Sequence, residues 1–172
     1  MNKSKSRKLT LYTSRGAIIA SLYVVLTALA SIAGLSSGVI QFRISEALCI
    51  LPLFLPEAVP GLFIGCLISN LLVPGAVIWD IIFGSLATLI GAIGAMLMKN
   101  LPEKYKWAAT LPTILANMII VPLVLIYAYG EDGAYIFFML TVGIGEIVCA
   151  GCGGSALYYI LRKYKKQWLK RP

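Results

Sequence analysis

Residues 16–34 read GAIIASLYVVLTALASIAG and carry no charged side chain. A helix of this length rises by about 28 Å at 1.5 Å per residue, close to the thickness of the hydrocarbon core of a bilayer. Similar apolar runs follow as far as residue 160, and hydrophobic residues make up 59% of the 172-residue chain. The sequence therefore predicts an all-α integral membrane protein and excludes a soluble domain.

The apolar runs predict six membrane-embedded segments. Four are long enough to cross a bilayer as single helices, at residues 15–34, 78–98, 107–129 and 133–162. The stretch 44–72 is divided by Pro56 and Pro60 into two pieces of about 11 to 13 residues. These pieces form either a re-entrant hairpin or two thin helices. In both cases irregular backbone lies at membrane depth, where only protein or a watery cavity can surround it.

The basic residues predict the orientation of the chain. Lys and Arg number 15 against 7 Asp and Glu, and they cluster before residue 16, at 99–106 and after residue 161. Positive loops stay inside, so these three groups are predicted to be cytoplasmic. We therefore expect a basic tail at 1–14, a six-helix domain at 15–162 and a second basic tail at 163–172. Arg43 is then the only basic residue on the outer side.

Several kinds of chemistry have no support in the sequence. Histidine is absent, and the four cysteines lie inside apolar segments, where neither a metal site nor a disulfide framework is expected. No Walker-type nucleotide loop occurs, and the tails lack the interleaved aromatic residues of a nucleic-acid surface. We expect no catalytic residue, cofactor, metal ion or nucleic-acid partner.

Charges inside the apolar runs mark the candidate site, because an ionisable side chain at mid-membrane costs about 2.5 to 3.5 kcal/mol on insertion scales. Gln41, Phe42, Arg43 and Glu46 bring polar groups to the start of a short helix, which favours the floor or lid of an outward-facing pocket. The alternative is that Arg43 and Glu46, three residues apart, merely neutralise each other.

The next outer turn supplies three more candidates, Asn70, Trp79 and Asp80. Asn70 either contacts a ligand or joins two helices. Trp79 either stacks on a ligand or belongs to an interfacial aromatic belt. Asp80 either binds a ligand or is simply a favourable charge at a helix N-terminus.

The last two helices contribute Asn117 and Glu146 near mid-depth. A carboxylate at this depth needs a partner, a proton or a ligand. Pro122 frees the backbone carbonyl of Met118 in the same layer. The alternative to a ligand site is a structural hydrogen bond between Asn117 and Glu146.

The first helix repeats small residues at the spacing that lets helices approach closely. The pairs are Gly16 with Ala20 and Ala17 with Ser21, and Gly61 and Gly65 repeat the spacing in the third segment. Such pairs serve internal packing, the favoured interpretation for Gly61 and Gly65, or form a surface for a membrane partner.

Three blocks of sequence resemble the queuosine-precursor transporter family. They are QFRISEAL at 41–48, PGLFIGCLISN at 60–70, and Asp80 followed by FGSLATL at 83–89, within a similarity that covers about residues 15–162. That family belongs to the substrate-binding, or S, components of energy-coupling-factor transporters. The resemblance implies six transmembrane helices in a bacterial cytoplasmic membrane. It also implies capture of a vitamin-like molecule from outside and docking on one transmembrane coupling protein and two ATPases.

The resemblance further implies a deazaguanine ligand, such as prequeuosine or queuine, and a docking face on the first helix at Ala17 and Ser21 or at Gly16 and Ala20. The guanine edge offers two adjacent N–H donors to a carboxylate, and an aminomethyl group asks for a second one. We expect Glu46 and Glu146 as these two acids, with Asp80 as the substitute. The remaining expected contacts are donors from Gln41, Arg43 or Asn70 to the ligand carbonyl, and stacking on Phe42 or Trp79.

Two other functions compete with this hypothesis. A secondary carrier driven by protons would use Glu146 or Asp80 as the titrating group and need no ATPase. A membrane scaffold held by its small-residue helices would bind no small molecule. A membrane enzyme is the least favoured, because no nucleophile and base pair is visible.

Overall fold

The structure is a computed structural model that describes residues 3–35, 40–73 and 76–164. Over these ranges the chain forms six helices and no strand, which confirms the all-helical prediction. The helices are α1 (Lys3–Ile32), α2 (Ile44–Leu53), α3 (Ala58–Leu72), α4 (Ile78–Asn100), α5 (Glu103–Tyr127) and α6 (Tyr135–Tyr164). The predicted C-terminal tail lies outside the described residues from position 165 onward, as do outer-loop positions 36–39 and 74–75.

The four long spans predicted from the sequence correspond to α1, α4, α5 and α6, each apolar and long enough to cross a membrane. The start of α1 differs from the prediction, since the helix begins at Lys3 rather than at residue 15. Residues 3–15 contain neither Gly nor Pro, so nothing in this stretch stops the helix. Its end follows the usual rule: Gly34 has φ +71°, a conformation in which glycine closes a helix.

The stretch 44–72 forms two short helices. α2 is a 3-10 helix of 10 residues and α3 an α-helix of 15 residues, so each is only about 20 Å long, short of a bilayer core as predicted. Pro56 lies between the two helices. Pro60 does not divide them, because it falls in the first turn of α3, where backbone N–H groups have no partner within the helix.

α2 lies inside the bundle, with most of its residues buried. Its apolar side chains form the centre of the hydrophobic core, together with residues of α1, α3, α4 and α6. α1 packs closely on α3, because a Cβ on Gly61 would lie 2.6 Å from the Gly16 carbonyl oxygen. The small-residue spacing at Gly61 and Gly65 therefore serves internal packing.

α6 is not a uniform α-helix. Its first part, Tyr135–Glu146, is α-helical, the next seven residues, Ile147–Gly153, are wound as a π-helix, and α-helix resumes at Gly154–Leu161. π-helical turns frequently mark functional sites. Here the π-helix follows directly after Glu146, and the Cβ of Ala47 on α2 lies beside Gly153.

Candidate functional site

Glu46 is the centre of a buried polar cluster. Its side chain is fully buried in α2, and its carboxylate accepts hydrogen bonds from three other side chains. Tyr23 donates its hydroxyl, the Thr88 hydroxyl lies 3.0 Å from Oε1, and the Cys49 thiol lies 3.0 Å from Oε2. Charge-assisted hydrogen bonds of this kind stabilise a buried carboxylate. Glu46 is therefore held in place by α1, α2 and α4.

Arg43 forms an ion pair with the same carboxylate. Its Nη2 lies 3.7 Å from Glu46 Oε1 and donates to the Cys66 thiol at 3.5 Å. The pair expected from the sequence is thus present. Mutual neutralisation of the two charges does not account for the whole arrangement. Glu46 already accepts three other hydrogen bonds, and Arg43 Nη1 lies near Gly84 together with Asn70 and Asp80.

Three of the predicted site residues converge around Gly84 on α4. A Cβ at this position would lie 2.9 Å from Asn70 Nδ2, 3.5 Å from Asp80 Oδ1 and 4.0 Å from Arg43 Nη1. Asn70 is buried and donates to the Asp80 carbonyl at 3.4 Å. Two donors and a carboxylate therefore lie within 4.0 Å of one point beside Gly84.

The loop after α5 is hydrogen-bonded to one of the same residues. The Tyr129 hydroxyl donates to Asp80 Oδ2 at 3.0 Å. Partial burial and the nearby carboxylate of Asp80 raise the pKa of the Tyr129 hydroxyl. The phenol therefore stays protonated at neutral pH and remains a donor to Asp80.

Trp79 lies apart from this cluster. Its side chain is 54% exposed and stacks on Phe83 at a centroid distance of 6.1 Å. Both rings line an apolar groove of about 570 Å³ on the outside of α4 and α5. This position agrees with an aromatic belt at the membrane surface, the alternative offered by the sequence.

Glu146 and Asn117 form a second buried polar group between α5 and α6. Both side chains are at least 98% buried, and the Asn117 side chain lies beside the Glu146 carboxyl. Asn117 Nδ2 donates to the Thr113 carbonyl at 3.2 Å. In contrast to Glu46, this group leaves three atoms without a hydrogen-bond partner: Glu146 Oε2, Asn117 Oδ1 and Thr113 Oγ1.

The segment that carries Gln41 reaches this second group. A Cβ on Gly145 would clash with the Gln41 carbonyl oxygen, so the segment lies directly on α6 beside Glu146. Glu146 comes 11 residues after the start of α6 at Tyr135, a distance of about 16 Å along the helix. The irregular backbone at Gln41 therefore packs against the middle of an apolar helix. Phe42, partly buried, and Arg43 follow in the same segment.

The small residues of α1 divide between two roles. Gly16 and Ala20 face α3, where they lie against Gly61 and Gly65. Ala17 and Ser21 are exposed and line a groove of about 660 Å³ between α1 and α3. The groove is mostly apolar, and its walls are completed by larger side chains that include Tyr12, Val25, Ile64 and Ile68.

Sequence reasoning missed the donors that surround Glu46 and the third member of the second group. Tyr23, Cys49 and Thr88 are single polar groups in apolar helices, and residues of this type usually give no signal of their own. Thr113 carries a weak signal, because it lies four residues before Asn117 and therefore on the same helix face. The expected site residues are thus brought together in two groups, with Trp79 outside both.

Comparison with known proteins identifies a family. The family model described as QueT transporter matches residues 13–163. A protein of Lactococcus lactis subsp. cremoris (strain MG1363), described as "Queuosine precursor transporter QueT", is 40% identical over 93 residues, or 53% of this chain and 53% of that protein. The similarity thus spans about half the length of that relative. No solved structure matches the chain.

Proposed function

Since the chain belongs to the QueT family of queuosine precursor transporters, we propose that it is the substrate-capture S component of an energy-coupling-factor importer. It binds a deazaguanine, such as prequeuosine or queuine, from the outside and delivers it inward with ATP hydrolysed by partner subunits. As a membrane transporter it has a non-enzymatic role. In this proposal the membrane domain is 15–162, and the basic tails at 1–14 and 163–172 both face the cytoplasm.

The observation that carries the proposal is the convergence of Arg43, Asn70 and Asp80 around Gly84. A guanine edge has a carbonyl acceptor next to two N–H donors, so its partner must present donors and a carboxylate together. Arg43 and Asn70 supply the donors, and Asp80 supplies the carboxylate. Gln41 adds a further polar side chain in the same outer segment.

Glu46 contributes by positioning Arg43. Its two carboxylate oxygens are occupied by protein donors, so little acceptor capacity is left for a ligand. The 3.7 Å ion pair orients the guanidinium toward the site. Phe42, next to Arg43 and partly buried, is the better placed ring for stacking, because Trp79 lies on the outside of the bundle.

Docking on the transmembrane coupling protein would use the groove between α1 and α3. Ala17 and Ser21 are the more exposed small residues there, whereas Gly16 and Ala20, which also line the groove, pack against α3. A small-residue surface lets a partner helix approach closely in a membrane. The partner complex would comprise this coupling protein and two ATPase subunits.

Binding is tested by titrating the purified full chain in detergent with prequeuosine, queuine and guanine by calorimetry. We expect saturable binding of a deazaguanine in preference to guanine, and at least about tenfold weaker binding in Asp80→Asn, because a charged acceptor is lost. The matched control is Glu131→Gln, which removes an acid from the exposed outer loop. If no deazaguanine binds, the assigned substrate is wrong, as the scaffold hypothesis requires.

Energy coupling is tested by uptake in cells that express the chain with and without a coupling protein and its ATPases. We expect uptake only with the ATPases and its loss in Ala17→Trp, with ligand binding retained. The control is Ile18→Trp, an exposed position on the neighbouring face of α1. Uptake without any ATPase that stops when the proton gradient is collapsed would instead establish the proton-coupled carrier.

A further inference from the structure

Three buried atoms of α5 and α6 lack hydrogen-bond partners. Within the ranges 3–35, 40–73 and 76–164, Glu146 Oε2, Asn117 Oδ1 and Thr113 Oγ1 are the only buried side-chain nitrogen or oxygen atoms in this condition. All three belong to α5 and α6, and none of them has a hydrogen-bond partner among the described residues. Buried polar groups are normally paired, so a cluster of three calls for a specific explanation.

The unpartnered atoms share one chemical character. A carboxylate oxygen and an amide oxygen are acceptors only, and the Thr113 hydroxyl can rotate so that it also accepts. Asn117 Nδ2 already donates to the Thr113 carbonyl at 3.2 Å. A group that satisfies this cluster must therefore bring several donors and no acceptor.

The charge balance points to a cation rather than to a neutral donor. Glu46 and Glu146 are both buried in the bundle, and Arg43 is the cation close enough to interact with both. Arg43 forms its ion pair with Glu46, whose oxygens are further filled by three donors. Glu146 consequently lacks a cation of its own, and a buried carboxylate without one is costly.

We propose that Glu146 and Asn117, with Thr113 beside them, bind the protonated amine of the substrate and so select a cationic aminomethyl deazaguanine over a neutral one. This inference rests on the proposed function. An alkylammonium carries three donors and no acceptor, which complements the acceptor cluster. The mixed donor and acceptor group around Gly84 binds the guanine edge, and the cluster at Glu146 binds the substituent.

The experiment compares two probes, 7-aminomethyl-7-deazaguanine and 7-cyano-7-deazaguanine, by calorimetry on the full chain in detergent. The probes share the guanine edge and differ in the cationic amine. We expect the aminomethyl compound to bind about 30-fold or more tightly, the factor that corresponds to a hydrogen-bonded charge. Glu146→Gln should remove most of this preference and leave affinity for the cyano compound within about threefold.

Two further variants sharpen the test. Asn117→Ala removes one neutral acceptor and should reduce the preference by a smaller factor, about five- to tenfold. Glu131→Gln removes an exposed acid of the outer loop and should leave the preference unchanged. Retained binding of the cyano compound shows that each variant is folded.

Each outcome of this experiment either supports or overturns the inference. A strong amine preference that depends on Glu146 supports the inference. Equal affinity of the wild type for both probes overturns it and leaves the proposed function standing, as does a preference that survives in Glu146→Gln. Binding of neither probe to the wild type overturns the proposed function and this inference with it.

Discussion

The close packing of α1 on α3 at Gly65 gives a prediction of defined size. A Cβ at this position would lie 2.8 Å from the Cβ of Tyr23, 2.9 Å from the Ala20 carbonyl oxygen and 3.0 Å from the Ala20 Cα. All three atoms belong to α1, and none can move aside by rotating a side-chain torsion. Gly65→Ala must therefore push the two helices apart. Gly151 on α6 is the matched control, since the nearest atom to its Cβ would be Ile114 Cδ1 at an ordinary 3.5 Å.

The magnitude follows from these distances. The three contacts in Gly65→Ala are short of ordinary van der Waals separation by about 0.4 to 0.6 Å, and overpacking of this kind costs about 1 to 3 kcal/mol. Both variants replace glycine by alanine in a helix, a gain of up to about 1 kcal/mol that largely cancels when they are compared. The difference between them isolates the cost of overpacking. For a chain of this size it corresponds to a melting temperature about 2 to 12 °C lower in Gly65→Ala than in Gly151→Ala.

Thermal unfolding of both variants in the same detergent, followed by intrinsic tryptophan fluorescence, measures this difference. The wild type is included in the same series. Equal melting temperatures of Gly65→Ala and Gly151→Ala would refute the reasoning, because the α1 and α3 backbones would then not be in contact at this position.

Three other substitutions test single contacts. Tyr23→Phe should lower the melting temperature by about 3 to 8 °C, since the buried Glu46 carboxylate loses a donor. Glu57→Gln should lower the free energy of unfolding by about 1 kcal/mol, because the buried Glu57 pairs with Arg15 at 3.1 Å. This loss should be smaller in 1 M salt, since Arg15 is one-third exposed. Tyr129→Phe should be slightly destabilising below pH 10 and neutral well above it. The reason is the raised pKa of Tyr129. Its hydrogen bond to Asp80 stabilises the fold at low and neutral pH and is lost as the pH rises through that pKa.

The long spans and the buried position of Glu46 and Glu146 could be predicted because both leave strong signals in the sequence. An apolar run near residue 16 or 78 has no other stable environment than a membrane, and a charge such as Glu146 within a run is conspicuous. The start of α1 could not be predicted, because helix continues into a polar segment that contains no stop signal. Pro60 misled the prediction, since its effect depends on which turn of the helix contains it.

The different states of Glu46 and Glu146 could not be predicted. The sequence presents them as equivalent acids in apolar surroundings, yet Glu46 is fully occupied and Glu146 is not. Two of the three donors to Glu46 come from α1 and α4, at separations of 23 and 42 residues, and Tyr and Thr in such helices have many other roles. Only the packing of the helices decides which acid receives them.

That packing also places the proposed ligand site and the proposed docking groove on opposite sides of α1. Tyr23 points into the bundle and donates to Glu46, whereas Ser21, two residues earlier and about 200° away around α1, faces the groove between α1 and α3. Gly65 contacts the same turn of α1 from α3. A partner that shifts α1 by a fraction of an ångström would therefore move the Tyr23 hydroxyl, and with it the support of the Glu46 and Arg43 pair. Because close-packed interiors transmit such displacements, coupling between the two surfaces needs no separate mechanical element.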